Sequence, residues 1–174
     1  MKIAILDDVK GVRDSIKTYL LHHTFKKSED IRVDTICSYF DIESSQLLDY
    51  DLLIIDEAME KVNGSEIVSH LWHMVDRDYD KLPCIVFVTG FYRGVLDERL
   101  RKTGFDRNKL RYDVLQKPFK FIDLKKVIYE ICPEYVAFYA DDEPLTVKEC
   151  VKSFIENVLF GILPIPTNLG GVAP

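Results

Sequence analysis

Lys2-Ile3-Ala4-Ile5-Leu6-Asp7-Asp8 and Asp51-Leu52-Leu53-Ile54-Ile55-Asp56 decide the fold. Each is a short apolar run that stops abruptly at carboxylates. Runs of this kind suit parallel strands covered on both faces. If the two strands are neighbours in one sheet, Asp7, Asp8 and Asp56 converge at its edge. Clustered carboxylates disfavour each other's ionisation unless a cation neutralises them. Three acids at one strand edge therefore point to a bound metal.

Outward from these strands, the apolar period switches repeatedly between short runs and helical spacing. That is the pattern of strands alternating with crossover helices around a parallel sheet. Val12, Ile16, Tyr19 and Leu20 share one face of a helix beginning near Val9. Ile31, Val33 and Thr35 alternate as a second strand, and a weak helix is expected from about Phe40 to Leu47. Ile67, Val68, Leu71, Trp72 and Val75 mark the helix after Asp56. Cys84-Ile85-Val86-Phe87-Val88, ending in Thr89-Gly90, reads as a central strand followed by a tight turn. Val95, Leu96, Arg99, Leu100 and Thr103 trace a fourth helix, Tyr112 to Gln116 a fifth strand, and Ile122, Leu124, Val127, Ile128 and Ile131 a fifth helix.

Composition bounds the function. A chain of 174 residues with 47% hydrophobic and 30% charged side chains has the make-up of a soluble globular protein of about one domain. Its net charge of −6 argues against generic binding to nucleic acid or to anionic membranes, both of which need a basic footprint. With neither a secretory leader nor an apolar span in the sequence, a cytoplasmic location is expected. Cys37, Cys84, Cys132 and Cys150 form no Cys-x-x-Cys pair and read as reduced thiols. His22-His23 and the His70/His73 pair lack further ligands nearby in sequence and read as solvated. Neither a nucleophile triad nor a glycine-rich phosphate loop is present, so catalysis on an external substrate is not expected.

Asp7-Asp8 after the first strand, Asp56 after the third, Thr89-Gly90 after the fourth and Lys117-Pro118-Phe119 after the fifth stand in the order of response-regulator receiver domains. Met59 and Gly64, three and eight residues past Asp56, also match, and residues 1–132 resemble that family. The resemblance implies a flavodoxin-like, doubly wound (βα)5 domain with a parallel sheet in the order 2-1-3-4-5. Sites in such sheets lie at the carboxyl ends of the strands. It also implies a stand-alone response regulator of a two-component phosphorelay, with Asp56 as phosphoacceptor and a histidine kinase or phosphotransfer protein as donor. Mg2+ would be held by Asp8, Asp56 and the main-chain carbonyl of Ala58, with Asp7 acting through water. Thr89, Gly90 and Lys117 would bind the phosphoryl group and switch the surface, and a downstream protein would dock at the fourth-helix and fifth-strand face.

The chemistry is coherent without the family. A phosphoryl group adds negative charge to an acidic pocket, and Mg2+ accepts hard oxygen ligands while needing only one or two carboxylates. Asp56 can attack phosphorus in line, Lys117 offers a point charge and Thr89 a hydroxyl donor. Singly, each residue has an ordinary reading. Asp7 or Asp8 could cap the helix near Val9, Thr89-Gly90 could be a turn, and Lys117-Pro118 a loop start.

Two departures stand out from the family pattern. Glu60 replaces the usual proline four residues after the acceptor, and Val114 stands where a switch aromatic is common. Tyr112, two residues earlier on the same face, is the candidate substitute. These departures leave open a pseudo-receiver that signals without phosphate. A haloacid-dehalogenase-like phosphohydrolase is the other alternative, but that family expects Asp-x-Asp, and Asp7 and Asp8 are adjacent. Ala58 offers no side chain to position water, and Phe91 is bulky beside the site, so slow loss of the phosphoryl group is expected.

Residues 93–111 are basic, with a net charge of +4, and Arg93, Arg99, Arg101 and Lys102 form a candidate face for an acidic partner. Residues 133–174 form an acidic extension. Thr146 and Glu149 make a capping box for an amphipathic helix over about 146–160, and the remainder is a Pro- and Gly-rich tail. That helix could pack on its own receiver, pair two subunits as a homodimer, or receive a partner. The extension is too short and too acidic for a DNA-binding output domain.

Overall fold

Alternation along five parallel strands sorts the apolar side chains into two cores, one on each face of a single sheet. In this computed structural model, which describes residues 1–24, 31–106 and 108–133, the strands are β1 (Lys2–Leu6), β2 (Arg32–Ile36), β3 (Leu52–Asp56), β4 (Cys84–Thr89) and β5 (Tyr112–Gln116). Their order is β2-β1-β3-β4-β5, the expected doubly wound arrangement. Ile3, Ile5, Leu52, Ile54, Val86, Val88 and Leu115 point to one side, where α1 (Lys10–Tyr19) and α4 (Phe121–Ile131) cover them with Val12, Ile16, Leu124 and Ile128. Ala4, Leu6, Leu53, Ile55, Ile85 and Phe87 point to the other side, against Ile67, Leu71 and Trp72 of α2 (Gly64–Met74) and Leu96 and Leu100 of α3 (Arg93–Lys102). All five residues of β3 and all six of β4 are buried. Each buried Leu, Ile, Val or Phe contributes about 1.5–3 kcal/mol of apolar transfer free energy.

The second of the four connections between strands differs from expectation. In place of an α-helix over Phe40–Leu47 there are two 3-10 turns, Tyr39–Asp41 and Ser44–Asp49. Polar side chains here bond locally: Ser38 Oγ accepts from the Phe40 N–H at 3.2 Å and Ser45 Oγ donates to Glu43 at 2.9 Å. Such bonds compete with helix propagation, and Leu47 is the sole buried anchor of the second turn. β2 also shifts slightly, because Val33 and Ile36, not Thr35, are its buried side chains. Among the described residues Cys37, Cys84 and Cys132 form no disulfide, and Cys84 Sγ donates to the Ile131 carbonyl at 3.3 Å. Among the described residues no helix is long and apolar enough to cross a membrane. The expected helix over about 146–160, with Thr146 and Glu149, lies outside the described residues, as does Arg107.

Candidate functional site

The sheet order brings the predicted residues together. β3 is central at this edge, with β1 on one side and β4 on the other, so Asp56 lies between Asp7-Asp8 and Thr89. Carboxylate oxygens of Asp7, Asp8 and Asp56 all lie within 4.8 Å of one another. Lys117, one residue past β5, reaches across to place Nζ 3.1 Å from Asp56 Oδ2 and 3.4 Å from Asp7 Oδ2. Its main-chain N–H donates to the Thr89 carbonyl at 2.7 Å, which ties the lysine to the end of β4. Asp7, Asp56 and Thr89 are buried, Lys117 is partly buried, and Asp8 and Gly90 are exposed.

Three carboxylates cluster here, and one lysine pairs with two of them. Burial raises the Asp7 carboxyl above its ordinary value, Lys117 opposes that rise and the Asp56 charge adds to it, while the Val9 N–H, 2.8 Å from Oδ1, lowers it. A raised folded pKa means that the native state holds the proton more tightly than the unfolded chain does. The stabilisation is full below about 3.8 and is lost as pH rises through the raised value. At neutral pH and without divalent cations, Asp7→Asn is therefore expected to raise the thermal midpoint, with the gain closing in acid. Equal or lower stability of the variant at neutral pH would contradict this account.

The donor set fits a hard divalent cation. It offers oxygen ligands only, with more negative charge than Lys117 neutralises, at a sheet edge where Asp8 and Ala58 are exposed. Neither acid caps α1; its N-cap is Val9, and Asp7 turns back to accept from the Val9 N–H. The His70 ring bonds the Tyr39 hydroxyl, and His73 Nδ1 bonds the Ser69 carbonyl, so neither adds to this cluster.

The loop after Asp56 is built to return quickly to α2. Ala58 pairs with Asn63 in an antiparallel bridge, and the Ala58 N–H donates to Asp56 Oδ1 at 3.2 Å. Glu60, in place of proline, donates its N–H to Asp8 Oδ2 at 3.0 Å. A proline has no N–H to make that bond. Glu66 accepts from the Asn63 N–H at 2.8 Å and starts the helix.

Sequence reasoning missed Glu57. By strand alternation it continues the row of Leu53 and Ile55 toward α2 and α3, and it is fully buried. Its carboxylate accepts from the Ser65 N–H at 2.7 Å, from Ser65 Oγ at 2.8 Å and from Arg99 at 2.7 Å. The detectable signal was an acid two residues beyond Ile55 on the covered face, with an arginine on a later helix. Arg99 is thus turned inward. The rest of the basic face is paired too: Arg93 with Asp113 at 2.6 Å, and Arg101 and Lys102 with Glu98 at 2.8 and 3.8 Å. Phe91, Tyr92 and Val95 stand exposed beside it.

Tyr112 lies well back from the site. It pairs with Ile85, four residues before Thr89, packs edge-on to Phe87 and donates its hydroxyl to Asp97 at 2.9 Å. Val114 sits opposite Phe87.

No protein-family model matches the chain. Solved structures similar to it include the chemotaxis response regulator CheY4 of Vibrio cholerae, at 19% identity and a TM-score of 0.57 over 75% of this chain and 97% of that one. A CheY-like response regulator receiver domain protein from Methanospirillum hungatei JF-1 is 20% identical, with a TM-score of 0.55 over 76% and 94% of the two chains. The described residues therefore have the fold of response-regulator receiver domains. Among curated proteins, the "Probable transcriptional regulator ycf29" of Cyanophora paradoxa is 32% identical over 130 residues. The match takes in 74% of this chain and 54% of that protein, so the chain spans about half the length of this relative.

Proposed function

We propose that this chain is a phospho-receiver of a two-component phosphorelay. Asp56 takes a phosphoryl group from a histidine kinase or phosphotransfer protein in the cytoplasm, and the result is signalled by protein contacts. The observation that carries the reading is the set of three strand-end carboxylates within 4.8 Å, with Lys117 Nζ 3.1 Å from Asp56. An Asp56 carboxylate oxygen attacks phosphorus as the bond from phosphorus to the donor breaks. The leaving group departs with the electron pair and takes a proton from solvent, and an acyl phosphate remains. Lys117 moves from carboxylate partner to phosphoryl partner, and Thr89 offers its hydroxyl. Mg2+, held by Asp8, Asp56 and the Ala58 carbonyl with Asp7 through water, would neutralise the charge that develops on the transferred oxygens. The α3–β5 face, with Phe91, Tyr92 and Val95 exposed, is the proposed docking surface for the downstream protein.

The test is intact-protein mass after incubation with a small phosphodonor. One phosphoryl addition is expected with Mg2+ and none with a chelator. A folded, Mg2+-supplied chain that stays unlabelled both by small donors and by phosphotransfer proteins would remove this reading in favour of a pseudo-receiver.

A further inference from the structure

We infer that Glu57, Arg99 and Phe91 form a latch that holds Thr89 and the turn after it in a resting position, which makes Glu57 and Arg99 positioning residues for phosphoryl transfer at Asp56. The inference rests on the proposed function for what is positioned, but the latch stands on its own contacts. Thr89 is fully buried and follows Ile85 and Phe87 on the α2/α3 side of β4, while Asp56 follows Leu52 and Ile54 on the opposite side. Its hydroxyl is already engaged, since the Phe91 N–H donates to Thr89 Oγ1 at 2.9 Å. The Phe91 ring lies under the Arg99 guanidinium, 5.0 Å from carbon to centroid. Arg99 in turn donates to the Glu57 carboxylate at 2.7 Å.

The anchor does not give. Glu57 is fully buried, receives both the N–H and the hydroxyl of Ser65 in the first turn of α2, and has its own N–H bonded to the Val88 carbonyl at 2.9 Å. Removing the counter-charge from such a carboxylate is costly, whereas an exposed ion pair is worth little. Arg99 therefore stays with Glu57, and Phe91 stays with Arg99. Swinging the Thr89 hydroxyl toward a phosphoryl group on Asp56 displaces the turn and draws Phe91 from beneath the guanidinium. The latch opposes that movement and shifts the population of the two turn positions toward rest. It also occupies a place where coupling is otherwise thin, because the fifth strand carries Val114, with no ring, opposite Phe87 and Tyr112 is committed to Asp97.

Labelling rate and backbone exchange together test the latch. Arg99→Gln, with Mg2+ saturating, is expected to take phosphoryl groups from a small donor roughly three- to tenfold faster at an unchanged half-saturating donor concentration. In the unlabelled protein the Phe91 amide should exchange faster with solvent. Arg99→Lys keeps a charge for Glu57 but loses the planar group that lies over Phe91, and it should fall between. The double variant Glu57→Gln/Arg99→Gln retains a neutral hydrogen-bonded pair, so it guards against misfolding of the single variant and should also label faster. A purely structural ion pair would slow labelling or leave it unchanged, and either result in both variants overturns the proposal. If the parent chain takes no label at all, the phospho-receiver reading fails separately. The latch then stands if the Phe91 amide exchanges faster in Arg99→Gln and falls if it does not.

Discussion

An Asp56→Asn chain is expected to take up no phosphoryl group from a small donor with Mg2+, a loss of more than about a thousandfold in rate, while folding at least as stably as its parent without divalent cations. The chemical half follows from position. Asp56 lies beside the acids that follow β1 and one strand from the end of β4, with Lys117 Nζ at 3.1 Å, so a group placed on it meets a cation at once and the Thr89 hydroxyl only when the turn after β4 moves. An amide in its place is a far poorer nucleophile and a weaker cation ligand. The structural half follows from charge. Asp56 is one of the causes that push the Asp7 carboxyl upward, and neutralising it relieves a like-charge contact at a buried edge. The amide oxygen can still accept from the Ala58 N–H. Intact mass and a thermal midpoint measured on the same sample separate the two halves. Label persisting on the variant would move the acceptor elsewhere, with exposed Asp8 the first place to look.

The fold was legible because strands and site report on each other. Four strands ending in acid, in Thr-Gly or in Lys-Pro, three of them apolar runs, determine which end of the sheet carries the candidate site, and the observed order β2-β1-β3-β4-β5 brings those ends together. Period alone was less reliable where burial is shallow. Phe40–Leu47 carries enough apolar residues to suggest a helix, yet Ser38, Ser44 and Ser45 bond locally and only Leu47 is fully covered, so the segment closes into 3-10 turns. Charge counting was incomplete in a similar way. Residues 93–111 do carry the expected basic excess, but a composition cannot show that Arg99 is directed at a buried acid 42 residues earlier, or that Arg93 is held by Asp113.

Glu57 shows why part of the site was hidden. An acid directly after Asp56 reads as one more carboxylate in an acidic loop, and nothing in its own neighbourhood marks it as buried. Its role appears only when strand alternation is carried one step past the end of β3 and α3 is seen to cross the same face. Glu60 is the converse case. It departs from the resemblance, with a glutamate where a proline is usual. The main chain uses the departure, because its N–H fixes Asp8 at 3.0 Å.

Gly64→Ala is the second large effect, and it bears on stability and chemistry together. The backbone at Gly64 carries no positive φ among the described glycines, where only Gly104 does, so conformational freedom is not the reason for glycine. Space is the reason. A Cβ would lie 2.8 Å from the Asp56 carbonyl oxygen and 2.9 Å from Ile55 Cγ2, with Glu57 Oε2 at 3.2 Å. The nearest obstacle is backbone in a strand hydrogen-bonded on both sides, so it cannot rotate away. Relief requires the start of α2 to lift, and that strains the Gly64 N–H bond to the Glu57 carbonyl and the Ser65 bonds to the Glu57 carboxylate. Overpacking of this kind costs about 2 kcal/mol, which lowers the midpoint of a domain this size by roughly 8 °C. The same lift shifts the end of β3, so labelling at Asp56 should fall several-fold at temperatures where the variant is fully folded. Alanine tolerated with an unchanged midpoint would mean that α2 approaches β3 less closely than 2.8 Å implies. An altered midpoint with unchanged labelling would place the strain in the helix and away from Asp56.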